Sequence, residues 1–269
     1  MKNKKTKKFQ DSKEYLAKKE YFNKFITVFG KKTVSDLVDQ HPEIKIERIL
    51  VDRHNQSKSL RAIVRKAQAK GIAIKEMEPE ALHRISKNKN EDQGIVADVL
   101  GKLENDWPKF LNYQNGPSTI LAVDGVTNPA NLGMIVRSVA AAGVSGLLLP
   151  KEGVPSINQP LLIKAAAGAV FKFPIYSHPK LADALSLAKA KGYKIIGLSS
   201  EKAAANLFTQ PRLERAVYVL GNESLGLSEE VRQKCDRFVS IPMSNKVESL
   251  NVAAAATLVA YYFGEHSRD

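Results

Sequence analysis

One cysteine, Cys235, stands among 269 residues. A lone thiol excludes an internal disulfide framework and a cysteine-rich zinc site, and this suits a reducing cytoplasm. Cys235 itself reads as a small buried hydrophobe. No stretch approaches the ~20 apolar residues of a membrane span, the longest being the alanine-rich run near the C-terminus. The basic Met1–Lys8 segment is followed by no apolar core, so a secretory signal is not expected. The apolar strand at Ile120–Asp124 is followed by no glycine fingerprint for a dinucleotide, and no phosphate loop ending in Gly-Lys-Ser/Thr occurs. The five histidines, His41, His54, His83, His178 and His266, are scattered without metal-ligand spacing. Standard hydride transfer, nucleotide hydrolysis and zinc chemistry all lose ground, and no metal is expected.

What is present is positive charge. Lys and Arg number 41 against 28 Asp and Glu, a formal net charge of +13 that points to a polyanionic partner. The excess is uneven: residues 1–100 carry net +9 and residues 101–269 net +4. Nine lysines fall within residues 1–24, which have little to bury and are expected to form a basic tail. That tail either solubilises the chain or contacts phosphates.

Two α/β units are expected. In the first, residues 25–100, Val34, Leu37 and Val38 have helical spacing. Ile46 and Ile49–Val51 suit a strand, and Leu60, Ile63, Val64 and Ala67 mark a helix ending before Gly71. A short strand at Ile72–Ile74, a helix opened by Pro79 and a strand at Gly94–Leu100 complete the unit. Residues 101–118, with Trp107, Pro108, Gly116 and Pro117, break the periodicity and read as a linker. From residue 119 onward apolar strands (Ile120–Asp124, Gly146–Leu149, Lys172–Ile175, Tyr193–Leu198, Ala216–Leu220, Phe238–Ile241) alternate with helices, the pattern of a parallel sheet covered on both faces.

Three segments of this second unit place polar residues and glycine just beyond predicted strands, the edge at which open α/β sheets bind ligands. In Asp124–Gly143, Asn131 lies at the mouth of a helix and Arg137 one to two turns inside. Arg137 is either a surface arginine at the helix edge or a buried charge that needs a partner. In Tyr218–Glu230 a strand runs into Gly221 and Glu223, then Gly226 and a helix cap at Ser228. The glycines let backbone approach a ligand closely, and each feature alone also fits an ordinary strand-to-helix turn. In Ile241–Phe263 a polar loop leads through Ser249 and Asn251 into an apolar helix whose face suits a core or a subunit interface.

Together these segments resemble the three signature motifs of the SpoU, or TrmH, family of RNA ribose 2′-O-methyltransferases, within the knotted SPOUT class. Asn131 and Arg137 match the first motif, Gly221 and Glu223 the second, and Ser249 and Asn251 the third. The first unit resembles the small substrate-binding domain that often precedes this catalytic domain. Its QGIVADV segment, Gln93–Val99, is close to a family signature in which Asp92 stands where histidine is usual, after Glu91. In the third motif Asn245 replaces a common glycine and Ala253 a common serine; asparagine tolerates left-handed backbone.

The resemblance implies an α/β fold whose C-terminal parallel-sheet domain carries a trefoil knot, behind a smaller RNA-binding α/β domain. It implies S-adenosylmethionine as cofactor, lined by Leu198, Gly221, Ile241, Leu250 and Asn251. Asn131, Arg137, Glu223, Ser249 and Asn251 are the implied catalytic set, with Arg137 activating the hydroxyl or stabilising its alkoxide. A homodimer through the knotted domain is implied, with RNA as partner and ribosomal RNA favoured over transfer RNA. The rival readings are a non-catalytic RNA-binding protein on the same fold and, less economically, a metabolic enzyme with a small-molecule acceptor.

Overall fold

A computed structural model describes residues 25–41, 44–86, 91–201 and 203–264; the expected tail, residues 1–24, lies outside them. The first unit is built from β1 (Phe25–Phe29), α1 (Lys31–Gln40), β2 (Lys45–Asp52), α2 (Lys58–Ala69), β3 (Ala73–Met77), α3 (Pro79–Ser86) and β4 (Ile95–Leu100). Its sheet has the order β1-β4-β2-β3, with β4 antiparallel to both neighbours and β2 parallel to β3. One face packs Val34, Ile49, Leu60 and Ile95 under α1 and α2, while Phe29, Leu50, Leu82 and Val96 pack on the α3 side.

The second unit has eight parallel strands in the order β10-β12-β9-β11-β6-β7-β8-β5. These are β5 (Asn105–Asp106), β6 (Ser118–Val123), β7 (Gly146–Pro150), β8 (Ile175–His178), β9 (Lys194–Leu198), β10 (Ala205–Asn206), β11 (Arg215–Leu220) and β12 (Arg237–Ser240). The helices are α4 (Trp107–Tyr113), α5 (Pro129–Ala141), α6 (Pro160–Ala165), α7 (Leu181–Ala190), α8 (Glu229–Arg232) and α9 (Val252–Phe263). Alternation along each strand splits the side chains between two layers. Leu121, Val123, Tyr218 and Leu220 face α5, α6 and α9, whereas Ile120, Ala122, Val217 and Val219 face α4, α7 and α8. Gly133 of α5 sits so close to α6 that a Cβ there would collide with the Leu162 carbonyl. Among the described residues no helix is long and apolar enough to cross a membrane.

The seam between the units is apolar. Ile26, Val28, Leu37 and Val99 of the first unit belong to the same buried cluster as Leu132, Leu162 and Ile163 of the second. Lys164 of α6 adds an ion pair to Glu91 at 2.8 Å.

The stretch 101–118, expected as a linker, instead contributes β5 and α4 to the second sheet. Asp106 caps α4 by accepting from the Lys109 amide at 2.8 Å, and Pro108 falls in the first turn, where its missing N–H costs nothing. Trp107 is fully buried, and its indole N–H donates to the Ala184 carbonyl at 3.0 Å. Trp107→Ala is therefore expected to cost about 3–5 kcal/mol, read from urea unfolding of the two proteins. A cost below about 1 kcal/mol would show that the segment is a mere connector. The strand expected at Lys172–Ile175 begins only at Ile175, because Ala169–Phe171 forms a 3-10 turn and Pro174 precedes the strand. Phe25–Phe29, left unassigned by periodicity, is an edge strand paired with β4.

Candidate active site

A cleft of about 740 Å³ opens at the carboxyl ends of β9, β11 and β12, on the side of β11 where the strand order reverses. Leu198 and Ile241 supply apolar wall, Gly221 and Leu250 lie beside them, and Ser249 stands on the rim. Four of the five expected cofactor positions thus line one cleft. The fifth, Asn251, falls between the lining residues Leu250 and Val252.

Three polar side chains from distant parts of the chain converge at the cleft's edge. Glu223 Oε1 accepts from Asn131 Nδ2 at 2.9 Å, from Asn251 Nδ2 at 3.0 Å and from the Val252 backbone N–H at 3.2 Å. Asn251 Nδ2 also reaches Asn131 Oδ1 at 3.3 Å. Local structure positions each of them. Asn128 caps α5 by accepting from the amides of Ala130 and Asn131, which sets Asn131 in the first turn, 8% exposed. Asn251 caps α9 by accepting from the Ala253 N–H at 2.9 Å. Glu223 brings its carboxylate to the first turn of α9, where the helix dipole favours negative charge.

The turn that carries Glu223 is held from within. Asn222 donates to the Gly125 carbonyl at 2.7 Å and accepts from the amides of Ser224 and Leu225. Gly221 is required because a Cβ there would collide with the Gly226 backbone, and Gly226 itself has φ +69°. The expected use of both glycines for close approach to a ligand is therefore corrected in part: they let the turn close on itself. Ser228 is the residue preceding α8 but makes no side-chain cap; its own N–H is held by Asp124 at 2.6 Å. Asn222 and Asp124 were both missed from the sequence, though each sits directly beside a strand end.

Arg137 stands apart. It is exposed on α5, and the cavity it lines is a second one, at the seam with the first unit, which it shares with Asp36, His41 and Lys172. Within one chain Asn131, Glu223 and Asn251 are brought together, Ser249 lies along the cleft, and Arg137 joins none of them.

The departures from the family pattern have structural explanations. Asp92, 1% exposed, accepts from His83 Nδ1 at 2.6 Å, Ser86 Oγ at 2.8 Å and the Gly94 N–H at 3.0 Å, so it ties α3 to the turn before β4. Asn245 adopts φ +55°, the left-handed conformation that glycine would otherwise supply. Cys235 is only partly buried, against expectation; burial nonetheless pushes its thiol up to about 11, so it is no nucleophile at neutral pH. Among the described residues no group of three or more His, Cys, Asp or Glu side chains is placed to hold a metal.

Comparison with known proteins bears on the family and the fold. The profile of the SpoU rRNA Methylase family matches residues 118–261, and that of RNA 2′-O ribose methyltransferase substrate binding matches residues 27–101. The 23S rRNA (guanosine-2′-O-)-methyltransferase RlmB of Xanthomonas axonopodis pv. citri is 30% identical over 237 residues, 87% of this chain and 94% of that protein. The RlmB of Coxiella burnetii is 30% identical over 243 residues, 89% and 95% of the two chains. The crystal structure of the SpoU methyltransferase AviRb from Streptomyces viridochromogenes in complex with AdoMet superposes with a TM-score of 0.70 at 25% identity, covering 91% of each chain. With more than half its length matched by one family profile and most of the remainder by the substrate-binding profile, the chain belongs to the SpoU rRNA methylase family.

Proposed function

We propose that this protein transfers a methyl group from S-adenosylmethionine to a ribose 2′-hydroxyl of large-subunit ribosomal RNA. The observation that carries the reading is the convergence of Asn131 and Asn251 on one carboxylate oxygen of Glu223 beside the cleft, in a chain of this family. The cleft fits the methyl donor. Its volume lies in the usual range for small-molecule sites. Among the described residues its charged lining comprises Glu201, Glu223 and Glu248 against Arg232, and Arg232 is already paired with Glu201 at 2.8 Å. That net negative lining suits a ligand bearing a sulfonium and an ammonium. Leu198, Ile241 and Leu250 offer apolar contact for a purine, and the ends of parallel strands expose amides and carbonyls to its edge.

When bound, the donor supplies an electrophilic methyl carbon on its sulfonium. The protein's part is to align the acceptor hydroxyl, whose oxygen takes the methyl as the carbon–sulfur bond breaks, and to lower the cost of that hydroxyl losing its proton to solvent. Glu223, Asn131 and Asn251 fix where α9 begins, and so fix the segment Ser249–Asn251 that would hold the donor. Arg137 offers a planar fork of donors that suits phosphate oxygens. It is assigned to the phosphate beside the acceptor ribose and to the developing alkoxide.

A homodimer belongs to the same reading. Arg137 lies outside its own chain's cleft, and α5 and α9, which pack on each other, leave Met134, Leu258 and Tyr261 exposed. A second copy packed on these helices would set one chain's Arg137 against the other's cleft. Ribosomal RNA as substrate and a single unpaired cysteine fit a cytoplasmic setting.

The test is transfer of label from methyl-labelled S-adenosylmethionine to purified ribosomal or transfer RNA. Label in ribosomal RNA, recovered as an alkali-resistant dinucleotide, is expected because a 2′-O-methyl group blocks hydrolysis at that position. Label confined to transfer RNA would move the substrate, and RNA binding without any label would favour the non-catalytic reading.

A further inference from the structure

The seam cavity beside Arg137, about 290 Å³, is lined by both domains: Asp36 and His41 from the first, Arg137, Ala140, Lys172 and Phe173 from the second. Two cations therefore face one opening. Lys172 reaches across the seam and donates to Gln40 Oε1 at 2.7 Å, which holds its ammonium at the end of α1. Neither Arg137 nor Lys172 takes part in an ion pair among the described residues. The one carboxylate in the lining, Asp36, is engaged by Lys32 at 2.8 Å. Alanines 140, 141, 166 and 169 give the lining an apolar floor, and among the described residues the cavity of about 290 Å³ is unfilled. Two cations, with the nearby Asp36 already paired to Lys32, on a wall shared by the substrate-binding domain and the helix of Arg137, match the charge of a phosphodiester.

We propose that this seam is an RNA phosphate subsite in which Lys172 is a second cation beside Arg137, so that the backbone next to the acceptor ribose is gripped where the two domains meet. Lys172 is a positioning residue here; it acts on where the RNA lies, and Arg137 acts on the reacting hydroxyl. The subsite rests on the RNA-methyltransferase reading, and its test separates the two.

The measurements are binding of a fluorescent single-stranded RNA oligonucleotide across a salt series, and turnover on large-subunit ribosomal RNA. Lys172→Ala is expected to weaken RNA binding about fivefold to tenfold and to flatten the slope of log K against log salt by about 0.7, the share of one phosphate contact on a single strand. It should raise KM for RNA while leaving kcat within about twofold, and leave S-adenosylmethionine affinity unchanged. Lys172→Arg should restore the slope. Gln40→Ala, which removes the interdomain hydrogen bond but keeps the cation, should leave the slope as in wild type. That separates phosphate binding from a role in holding the domains together. An unchanged salt slope in Lys172→Ala, or an equal loss in Gln40→Ala, overturns the subsite even where wild-type methylation is intact. A wild-type protein that methylates no RNA, with the slope still flattened in Lys172→Ala, would instead overturn the enzymatic reading and leave the subsite standing.

Discussion

Arg137→Ala is expected to lower kcat/KM for RNA methylation by a factor on the order of 10³, the scale seen when a preorganised stabiliser of developing negative charge is removed. Affinity for S-adenosylmethionine should stay within about threefold, because Arg137 does not line the cleft between β9, β11 and β12. Single-turnover methylation and equilibrium dialysis read the two quantities separately. Wild-type turnover by the variant would sink the assignment. Its exposure on α5 makes misfolding an unlikely reason for any loss, and a thermal melt checks this.

The same variant tests the dimer. Suppose Arg137 of one protomer serves the cleft of the other, and Arg137→Ala chains are mixed and reassembled with chains whose cleft is disabled. Half the dimers are then mixed, each with one complete site, and activity should return to about a quarter of wild type. Activity confined to a single chain predicts no recovery.

Glu223→Ala carries the second large effect. One oxygen accepts from two asparagine amides and from the first backbone N–H of α9, and all three lose that acceptor together. Water can reach Glu223 and Asn251, but Asn131 is 8% exposed, so part of the loss stays uncompensated, about 1–3 kcal/mol. Most of it should register as a disordered Ser249–Asn251 wall, with S-adenosylmethionine affinity down on the order of 10- to 100-fold. Glu223→Gln keeps an oxygen acceptor and gives up only the charge at the helix N-terminus, worth about 0.3–1 kcal/mol, so its affinity should fall less than tenfold. Calorimetric titration of the three proteins reads the order wild type, Gln, Ala. If Ala binds as wild type does, Glu223 does not organise the cleft.

Glu223, implied only as a member of the catalytic set, holds amides and not the arginine. Its three donors lie 92, 28 and 29 residues away in the chain. No spacing rule relates positions that far apart. The motifs could be recognised as a set, yet the bond between them could not be written down. Arg137 shows the opposite case. In sequence it is grouped with Asn131 on one helix, but six residues along a helix turn it to another side, toward the substrate-binding domain.

The strands of the second unit were legible because a parallel sheet covered on both faces demands continuous apolar runs; Ala216–Leu220 was expected, and Arg215–Leu220 is found. Helix starts were less legible: the helices expected from Leu132 and from Ser249 begin at Pro129 and Val252, where Asn128 and Asn251 cap them. The segment holding Trp107 was misread because proline next to tryptophan looks like a break, whereas proline in a first turn starts a helix. The short β5 has only two residues and leaves no periodic trace.

Composition and local pattern, then, determined a basic α/β protein with its charge excess concentrated in residues 1–100, most of it in residues 1–24, and its chemistry-bearing residues in three turns. Tertiary structure decided which turns meet. Side-chain period reports whether a face is buried, but it carries no record of which strand lies beside which. The reversal that puts β9 and β12 beyond β11, the meeting of Asn131, Glu223 and Asn251, and the seam that holds Arg137 near Lys172 are set by the packing of elements far apart in the chain.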